Sequence, residues 1–261
     1  MSGAKVLLEI RNGAATITLN SARNGNAIDF DLAKDLMNVL RRCEQNSEIR
    51  AILVRGDGRM FCAGGDLVAI HGRGAEAPAY VRALLECLHG AILSIARIPV
   101  PVVAAVQGAA AGAGLALACA CDLAIASQSC RFVMAYTRVG LTPDGSSSWY
   151  LPRLIGERRA LELALLNRDL TAEEALRWGL VNEVVADDQL QERSMRMLEQ
   201  LVAGPTAAFG DAKRLLRTSL HNDLPSQLTQ EMETLCRALE RPEAKIGLSA
   251  FRAKTVPKFR S

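Results

Sequence analysis

The part of the chain that most limits its fold runs from residue 101 to residue 152. Residues 102–106 are uniformly apolar, and the glycine cluster G-A-A-A-G-A-G at 108–114 then opens the apolar run 115–121. This order predicts a buried strand followed by a helix that begins at the glycines. Because the first N–H groups of a helix have no partner inside it, such a turn can stabilise negative charge. We therefore predict an α/β protein with an anion-stabilising turn.

One carboxylate stands out in the same part of the chain. Asp144 lies between Pro143 and Gly145, in a stretch from 139 to 152 that has no other charged residue. A carboxylate is costly to bury unless it has partners or a chemical role. Two interpretations stay open from the residues alone: an acid/base group in a closed pocket, or the N-cap of a helix that starts just after it.

Composition limits the class of protein. The 261 residues are 49% hydrophobic, which suits one α/β domain; we predict a core at 1–186 and a helical region at 187–261. The net charge is +3 with the basic residues spread along the chain, so nucleic-acid binding is not indicated. The seven cysteines have neither disulfide nor zinc spacing, so we expect reduced thiols, no metal and a cytoplasmic protein. No signal sequence or membrane-length apolar run is seen, so no membrane association is expected.

Periodicity predicts the remaining elements. A hairpin is expected around Asn12-Gly13, and the segment 66–78 is predicted to be a mobile loop. After residue 185 the pattern is helical and could form either a lid over its own sheet or a surface for neighbouring subunits. The other predicted elements are helices at 30–44, 78–97, 189–202, 205–220, 225–239 and 242–251 and strands at 51–55 and 123–126.

Three motifs in order carry a family resemblance. They are F-C-A-G-G-D at 61–66, V-V-A-A-V-Q-G-A-A-A-G-A-G at 102–114 and C-D-L-A-I-A at 121–126. With them, the chain resembles the crotonase superfamily, enzymes of coenzyme A thioesters, over nearly its whole length. The resemblance implies a spiral of β-β-α units whose C-terminal helices form a trimer, commonly paired into a hexamer. It implies an acyl-CoA substrate and no prosthetic group.

The resemblance also implies site residues. Two backbone N–H groups hold the thioester oxygen in this family, and the motifs assign them to Ala63 and Ala113. Coenzyme A would bind along the 61–66 loop, at Ala63, Gly64 and Asp66, although Asp66 also suits a purely structural role in the loop. A neighbouring subunit would contribute its C-terminal helix, at Phe251 and Lys254. From the residues alone, the glycines at 112 and 114 could instead serve only the close packing of a strand and a helix.

The chain departs from the pattern of the family's hydratases. Those enzymes carry two glutamates that activate water, and the matching positions here are Ala116 and Tyr136. Asp144 is the replacement that we expect. The run 132–153 resembles a subgroup of ring-epoxide and enoyl-CoA isomerases, in which the corresponding aspartate is the acid/base. Tyr136 and Trp149 are expected to line the acyl pocket.

We therefore expect an isomerase that moves a double bond or a proton through an enolate. Three alternatives remain. A hydratase could use Asp144 alone, and a catalytically silent crotonase-fold subunit could serve only for binding. A relative of the 4-chlorobenzoyl-CoA dehalogenases would use Asp144 as a nucleophile with His89 as its partner. His89 could equally be an ordinary packed or surface histidine.

Overall fold

The computed structural model describes residues 3–260, which form a mixed α/β structure. Its strands are β1 (Val6–Arg11), β2 (Ala14–Leu19), β3 (Ala51–Gly56), β4 (Val102–Val106), β5 (Ala109–Ala111), β6 (Leu123–Ser127), β7 (Arg131–Val133), β8 (Leu170–Thr171) and β9 (Glu183–Val185). Its helices are α1 (Phe30–Gln45), α2 (Leu67–His71), α3 (Ala77–Arg97), α4 (Ala113–Ala120), α5 (Ser147–Ile155), α6 (Glu157–Leu166), α7 (Ala172–Trp178), α8 (Leu190–Ala203), α9 (Thr206–Thr218), α10 (Leu224–Leu239) and α11 (Pro242–Ala253).

The larger sheet has six strands in the order β1-β2-β3-β4-β6-β9. Only β1 and β2 pair antiparallel, through the predicted hairpin turn at Asn12 and Gly13, whose positive φ angles of 51° and 80° suit a tight turn. The other neighbours are parallel, and all five residues of β4 are buried, as its uniformly apolar sequence predicts.

The smaller sheet has the order β5-β7-β8 and gives the fold its repeating unit. β4, β5 and α4 follow one another along the chain, and so do β6, β7 and α5, so each unit supplies one strand to each sheet. The predicted spiral of β-β-α units is confirmed. The turn between the second strand of a unit and its helix is the place where α4 begins.

Helices cover both faces of the larger sheet. On one side, α1 packs against α3, and the amphipathic face of α1 buries apolar side chains that include Leu36 and Leu40. On the other side, α8 packs on β3, β4 and β6 through Leu190, Leu198 and Val202. The first helix of the predicted C-terminal region therefore covers the sheet of its own subunit.

The last three helices pack on one another in succession. α10 packs on α9, and α11 packs on α10. They leave large apolar side chains in solvent, namely Leu224, Leu228, Met232, Leu235, Leu239, Ile246, Leu248 and Phe251. The division of the chain at residues 186 and 187 stays a prediction.

Two segments refine the sequence predictions. The segment 66–78, predicted to be a mobile loop, contains α2 and a 3-10 turn at Gly74–Glu76, with Asp66 accepting the Ala69 N–H as the cap of α2.

By length and composition the helical segment Gly74–Arg97 could also cross a membrane, as core helices of soluble proteins often could. Because Leu84, Leu88 and Ile95 are buried in the core, α3 serves here as a core helix.

Candidate active site

The predicted anion-stabilising turn lies where β5 leads into α4. Gly112 is the N-cap of α4 and has a φ of 49°, which a residue with a side chain rarely adopts. Ala113 is the first residue of the helix, so its N–H has no partner within the helix. All eight residues of α4 are buried, so the N–H groups at the start of this helix lie inside the protein.

A second loop meets this turn because two glycines have no side chain. A Cβ atom at Gly64 would lie 2.8 Å from the carbonyl oxygen of Ala111, and one at Gly114 would lie 2.5 Å from that of Cys62. Any other residue at either position would push the two backbones apart. The packing role considered for Gly114 is therefore real, and it places residues 61–66 directly beside the start of α4.

The backbone N–H groups of the 61–66 loop differ in whether they donate a hydrogen bond within the fold. The Ala63 N–H donates to the carbonyl oxygen of Gly25 at 2.9 Å, and the Asp66 N–H donates to that of Ile28 at 3.0 Å. Gly65 lies between them, and its N–H has no acceptor within residues 3–260. The prediction that Ala63 supplies the free donor is thus corrected, because its N–H already serves the fold. Gly65 is the free donor of this loop.

The two loops border a cavity of about 270 Å³. Its wall is mainly apolar, from α2, α3 and the segment before α5. Asp144 is the one charged residue in it. The lining residues are Ile28, Ala63, Gly64, Gly65, Leu67, Ile70, Val81, Leu84, Leu85, Leu88, Gly112, Ala113, Ala135, Tyr136, Val139, Leu141, Thr142 and Asp144.

Asp144 faces the cavity and does not cap a helix with its side chain. The N-cap of α5 is Ser146, and the Asp144 carbonyl oxygen, not its carboxylate, accepts the Ser147 N–H. The carboxylate oxygen Oδ1 instead accepts a hydrogen bond of 2.7 Å from the Tyr136 hydroxyl. Of the two interpretations open from the sequence, the structure favours the pocket carboxylate over the cap.

Burial changes the proton affinity of both partners. Desolvation raises the pKa of the Asp144 carboxyl above its ordinary range, against the opposing effects of the Tyr136 hydrogen bond and the charge of His89. Desolvation also raises the pKa of the Tyr136 hydroxyl strongly, helped by the neighbouring Asp144 charge. Tyr136 is consequently a neutral donor at all physiological pH values, and Asp144 is a more basic carboxylate than one in water.

The other predicted site residues lie outside this cavity or at its edge. His89 is exposed and lines a separate surface groove on α3, without a hydrogen bond to Asp144. Trp149 is absent from the cavity wall, because its ring packs on Tyr150 at a centroid distance of 4.6 Å and on His221 at 6.1 Å. The expectation that Trp149 lines the acyl pocket is not supported by this position.

Phe251 and Lys254 lie at the end of α11, outside the cavity lining. Phe251 is 84% exposed, and Lys254 follows the helix as its C-cap, with a φ of 55°. Their predicted contact with coenzyme A would come from a neighbouring subunit, so it stays a prediction. Within residues 3–260, no group of three or more His, Cys, Asp or Glu side chains could hold a metal ion.

The positions of the two missing glutamates are occupied differently. Tyr136 reaches into the cavity and contacts Asp144. Ala116 is fully buried, and a Cβ atom at Gly145 would lie 3.2 Å from its methyl group and 3.6 Å from Leu88. An apolar wall therefore stands where the first glutamate would act.

Sequence reasoning missed most of the cavity wall. Leu67 and Ile70 come from α2, in the segment expected to be a mobile loop, while Val81, Leu84 and Leu85 come from α3. A signal was available, because α3 is apolar over more than one face, as expected for a helix with the core on one side and a cavity on another.

Together these groups provide a mainly apolar cavity lined by free backbone donors and by a basic carboxylate. Preorganised N–H groups stabilise negative charge on a carbonyl oxygen, and a carboxylate with a raised pKa accepts a proton readily. Such a site is suited to removing a proton next to a carbonyl group.

Comparisons with known proteins identify the family. The chain matches the enoyl-CoA hydratase/isomerase family over residues 9–261. It is 35% identical to the 1,2-epoxyphenylacetyl-CoA isomerase of Escherichia coli strain K12 over 258 residues, 97% of each chain. It is 34% identical over 250 residues to 4-chlorobenzoyl coenzyme A dehalogenase-2 of an Arthrobacter species, which covers 95% of this chain and 91% of that protein.

A solved structure agrees in fold. The crystal structure of an enoyl-CoA hydratase from Polaromonas sp. JS666 matches with a TM-score of 0.93 and 35% identity, covering 98% of this chain and 99% of that one. The chain therefore belongs to the enoyl-CoA hydratase/isomerase family and has the crotonase fold. These relatives are named for isomerisation, dehalogenation and hydration. Family membership therefore identifies the protein as an acyl-CoA enzyme, and the residues of the site must be used to infer which reaction it catalyses.

Proposed function

We propose that the enzyme moves the double bond of an unsaturated acyl-CoA thioester by transferring a proton through an enolate. The observation that carries this proposal is Asp144, the one charged group in an apolar cavity that also contains two free backbone donors. A single carboxylate suffices to take a proton from one carbon and return it to another. No second acid or base is required.

The proposed oxyanion hole consists of the N–H groups of Gly65 and Ala113. Both residues line the cavity, and the backbones of their two loops are in contact through Gly64 and Gly114. In the reaction, the thioester carbonyl oxygen gains negative charge as the neighbouring carbon loses its proton. Each donor stabilises that charge, and removing one such donor typically costs about 2.7–4 kcal/mol of transition-state stabilisation.

The proposed proton path runs through Asp144. With a 3-enoyl thioester bound, the ionised carboxylate removes a proton from C2, and the electron pair passes into the enolate held by Gly65 and Ala113. The carboxylic acid then donates the proton to C4 as the double bond forms between C2 and C3. The raised pKa of Asp144 favours the first step, because it makes the carboxylate a stronger base than an ordinary aspartate.

Hydration is disfavoured by the surroundings of Ala116. In a two-glutamate mechanism a water molecule is held between two carboxylates, but Ala116 has no polar atom in its side chain and is fully buried near Gly145. The second position supplies Tyr136, whose raised pKa keeps it protonated and unable to activate water as a base. Isomerisation is therefore proposed over hydration.

A dehalogenase mechanism is disfavoured by the position of His89. That mechanism requires a base close to the aspartyl ester, whereas His89 is exposed and its only resolved influence on Asp144 is through its charge. A direct check is 4-chlorobenzoyl-CoA in water enriched in oxygen-18. Release of chloride together with heavy oxygen in Asp144 would replace the isomerase proposal with the nucleophilic one.

We also propose a trimer, or a hexamer built from two trimers, in the cytoplasm. The apolar side chains that α10 and α11 leave in solvent support an association surface, because monomeric proteins rarely expose contiguous apolar patches larger than a few hundred Å². In the trimer, Phe251 and Lys254 of a neighbouring subunit would complete the coenzyme A site beside Gly64 and Asp66. Light scattering at micromolar concentration tests the assembly, and a stable monomer would contradict it.

The proposed reaction is tested with two substrates under matched conditions. A 3-enoyl-CoA should be converted to the 2-enoyl-CoA, and crotonyl-CoA should be hydrated at least about a hundredfold more slowly, since both glutamates of the water-activating pair are missing. Absorbance of the conjugated thioester follows both reactions. Robust hydration at about 10 per second or more would contradict the isomerase assignment.

A further inference from the structure

Tyr136 occupies one of the two glutamate positions, and it makes the one hydrogen bond of the Asp144 carboxylate within residues 3–260. Its hydroxyl donates to Oδ1 at 2.7 Å, and Oδ2 has no hydrogen-bond partner in this part of the chain. We propose that Tyr136 is the positioning residue for Asp144, holding Oδ1 so that Oδ2 is the oxygen that exchanges protons with the substrate. This inference rests on the proposed function and assigns separate roles to the two carboxylate oxygens.

The backbone of Tyr136 is fixed on both sides of the residue. Its N–H donates to the Met134 carbonyl oxygen at 2.8 Å, and its own carbonyl oxygen accepts the N–H groups of Val139 and Leu141 at 3.1 and 3.0 Å. Ala135, directly before it, has a φ of 61°, which is unfavourable for a residue with a side chain. The chain thus accepts local strain in a turn that directs Tyr136 toward Asp144.

The Tyr136 ring also lies next to the turn at which α4 begins. A Cβ atom at Gly112 would lie 3.6 Å from Cζ of the ring, so the ring faces the N-cap of α4 across the space that a side chain there would occupy. Ala113, the proposed oxyanion donor, is the next residue. One aromatic ring therefore lies between the donor turn and the carboxylate, and sets the position of Asp144 relative to the oxyanion hole.

The protonation states suit this role. Because the pKa of Tyr136 is raised well beyond its ordinary range, the hydroxyl is always the donor and Asp144 always the acceptor. The hydrogen bond favours the ionised carboxylate and so lowers the pKa of Asp144, whereas burial raises that pKa by a larger effect. Tyr136 thereby keeps a buried carboxylate ionised enough to act as a base.

The test removes the hydroxyl and keeps the ring. In Tyr136→Phe, the pKa of Asp144 should rise by about one to two pH units, since hydrogen bonds to charged groups contribute about 1.5–3 kcal/mol. The pKa is measured by carbon-13 NMR of labelled aspartate carboxyls, with the Asp144 signal assigned by its loss in Asp144→Asn. Tyr150→Phe is the matched control, because the Tyr150 hydroxyl accepts from Arg217 at 2.6 Å outside the cavity. It should leave the Asp144 signal unchanged.

Kinetics on a 3-enoyl-CoA supply the second readout. Tyr136→Phe should lower kcat by about tenfold or more with KM changed less than about twofold, and the acidic limb of the kcat/KM profile should move to higher pH. An unchanged Asp144 titration together with a wild-type pH profile would overturn the positioning role. The NMR titration needs no turnover, so it separates this inference from the proposed function, which fails instead if Asp144→Asn stays active.

Discussion

Asp122 and Asp144 are both largely withdrawn from solvent, but the structure gives them opposite kinds of partners. Asp122 is 17% exposed and binds two cations, Lys213 Nζ and Arg217 Nη2, each at 2.7 Å. It also accepts the Val102 N–H at 2.9 Å. Asp144 has a tyrosine hydroxyl and an apolar wall, with no cation within ion-pair distance in residues 3–260.

The difference agrees with the roles that we propose, structural for Asp122 and reactive for Asp144. Lys213 uses its other hydrogen bonds on the carbonyl oxygens of Ile95 and Val100, so the Asp122 cluster ties α9 to α3 and to the start of β4. The negative charge of Asp122 is thus compensated by two cations, Lys213 and Arg217. Asp144 has a desolvated charge, which raises its pKa and makes it a stronger base than an ordinary aspartate.

The strongest contrast should appear in activity. Asp144→Asn preserves size and can still accept the Tyr136 hydrogen bond, but it cannot take a proton. Turnover of a 3-enoyl-CoA should fall about 10²- to 10⁴-fold while the circular dichroism spectrum stays unchanged. A folded variant with more than a tenth of wild-type activity would remove Asp144 from the mechanism and end the contrast.

The reverse effect is expected at the structural carboxylate. Asp122→Ala leaves Lys213, whose side chain is only 9% exposed, without its ion-pair partner, and should lower the free energy of unfolding by about 3–5 kcal/mol. Urea unfolding measures this. Asp188→Ala, at an exposed aspartate, is the control and should change stability by no more than about 0.5 kcal/mol. Equal effects of the two substitutions would show that the Asp122 cluster contributes little.

A third variant tests the donors that face Asp144. Proline has no N–H and is well tolerated at the first position of a helix, so Ala113→Pro deletes the proposed donor while keeping the helix start. We expect a loss of about 10²- to 10³-fold in kcat. Glu157→Pro places proline at the first position of α6, away from the cavity, and should retain activity. Normal turnover by folded Ala113→Pro would exclude this donor.

The pH dependence of kcat/KM for the wild-type enzyme should reflect the buried Asp144 carboxylate, which has no cationic partner within residues 3–260. The carboxylate must be ionised to accept the C2 proton, so kcat/KM should fall as pH drops through its pKa. Because burial raises that pKa, the midpoint should lie above the value of an ordinary aspartate, about 3.9. An acidic midpoint at or below that value would mean that Asp144 is well solvated in the free enzyme.

The smallest expected effect is on stability. A carboxyl whose pKa is higher in the folded than in the unfolded state binds protons preferentially when folded, so its stabilising contribution is lost as pH rises through the folded pKa. Asp144→Asn should therefore unfold at the same or a higher temperature than wild type at pH 7. The difference should vanish below about pH 3, where both states are protonated. A clearly lower Tm at pH 7 would assign Asp144 a structural role like that of Asp122.

The sequence predicted the parts of the site that depend on local order. The strand, glycine turn and helix around Ala113 are contiguous, and Asp144 is conspicuous because its segment has no other charge. The hairpin at Asn12-Gly13 and the four C-terminal helices also follow from local signals, and the structure confirms them within a few residues.

The errors arose where distant segments decide the outcome. Whether Ala63 or Gly65 has a free N–H depends on Gly25, which takes the Ala63 bond from a loop far away in sequence. Trp149 follows Asp144 closely, yet the turn of α5 carries its ring toward His221, which is far away in sequence. Neither result is visible in local periodicity, because both depend on tertiary contacts.

The most direct test of the central claim is the fate of solvent deuterium. Wild-type enzyme is incubated with a 3-enoyl-CoA in deuterated water until the reaction reaches equilibrium, and mass spectrometry locates deuterium along the acyl chain. If Asp144 carries the proton, the carboxyl exchanges with solvent and deuterium appears at C2 and C4 with wild type, and at neither carbon with Asp144→Asn. Exchange at C2 that continues at the wild-type rate in Asp144→Asn would contradict the account, because another group would then be the base.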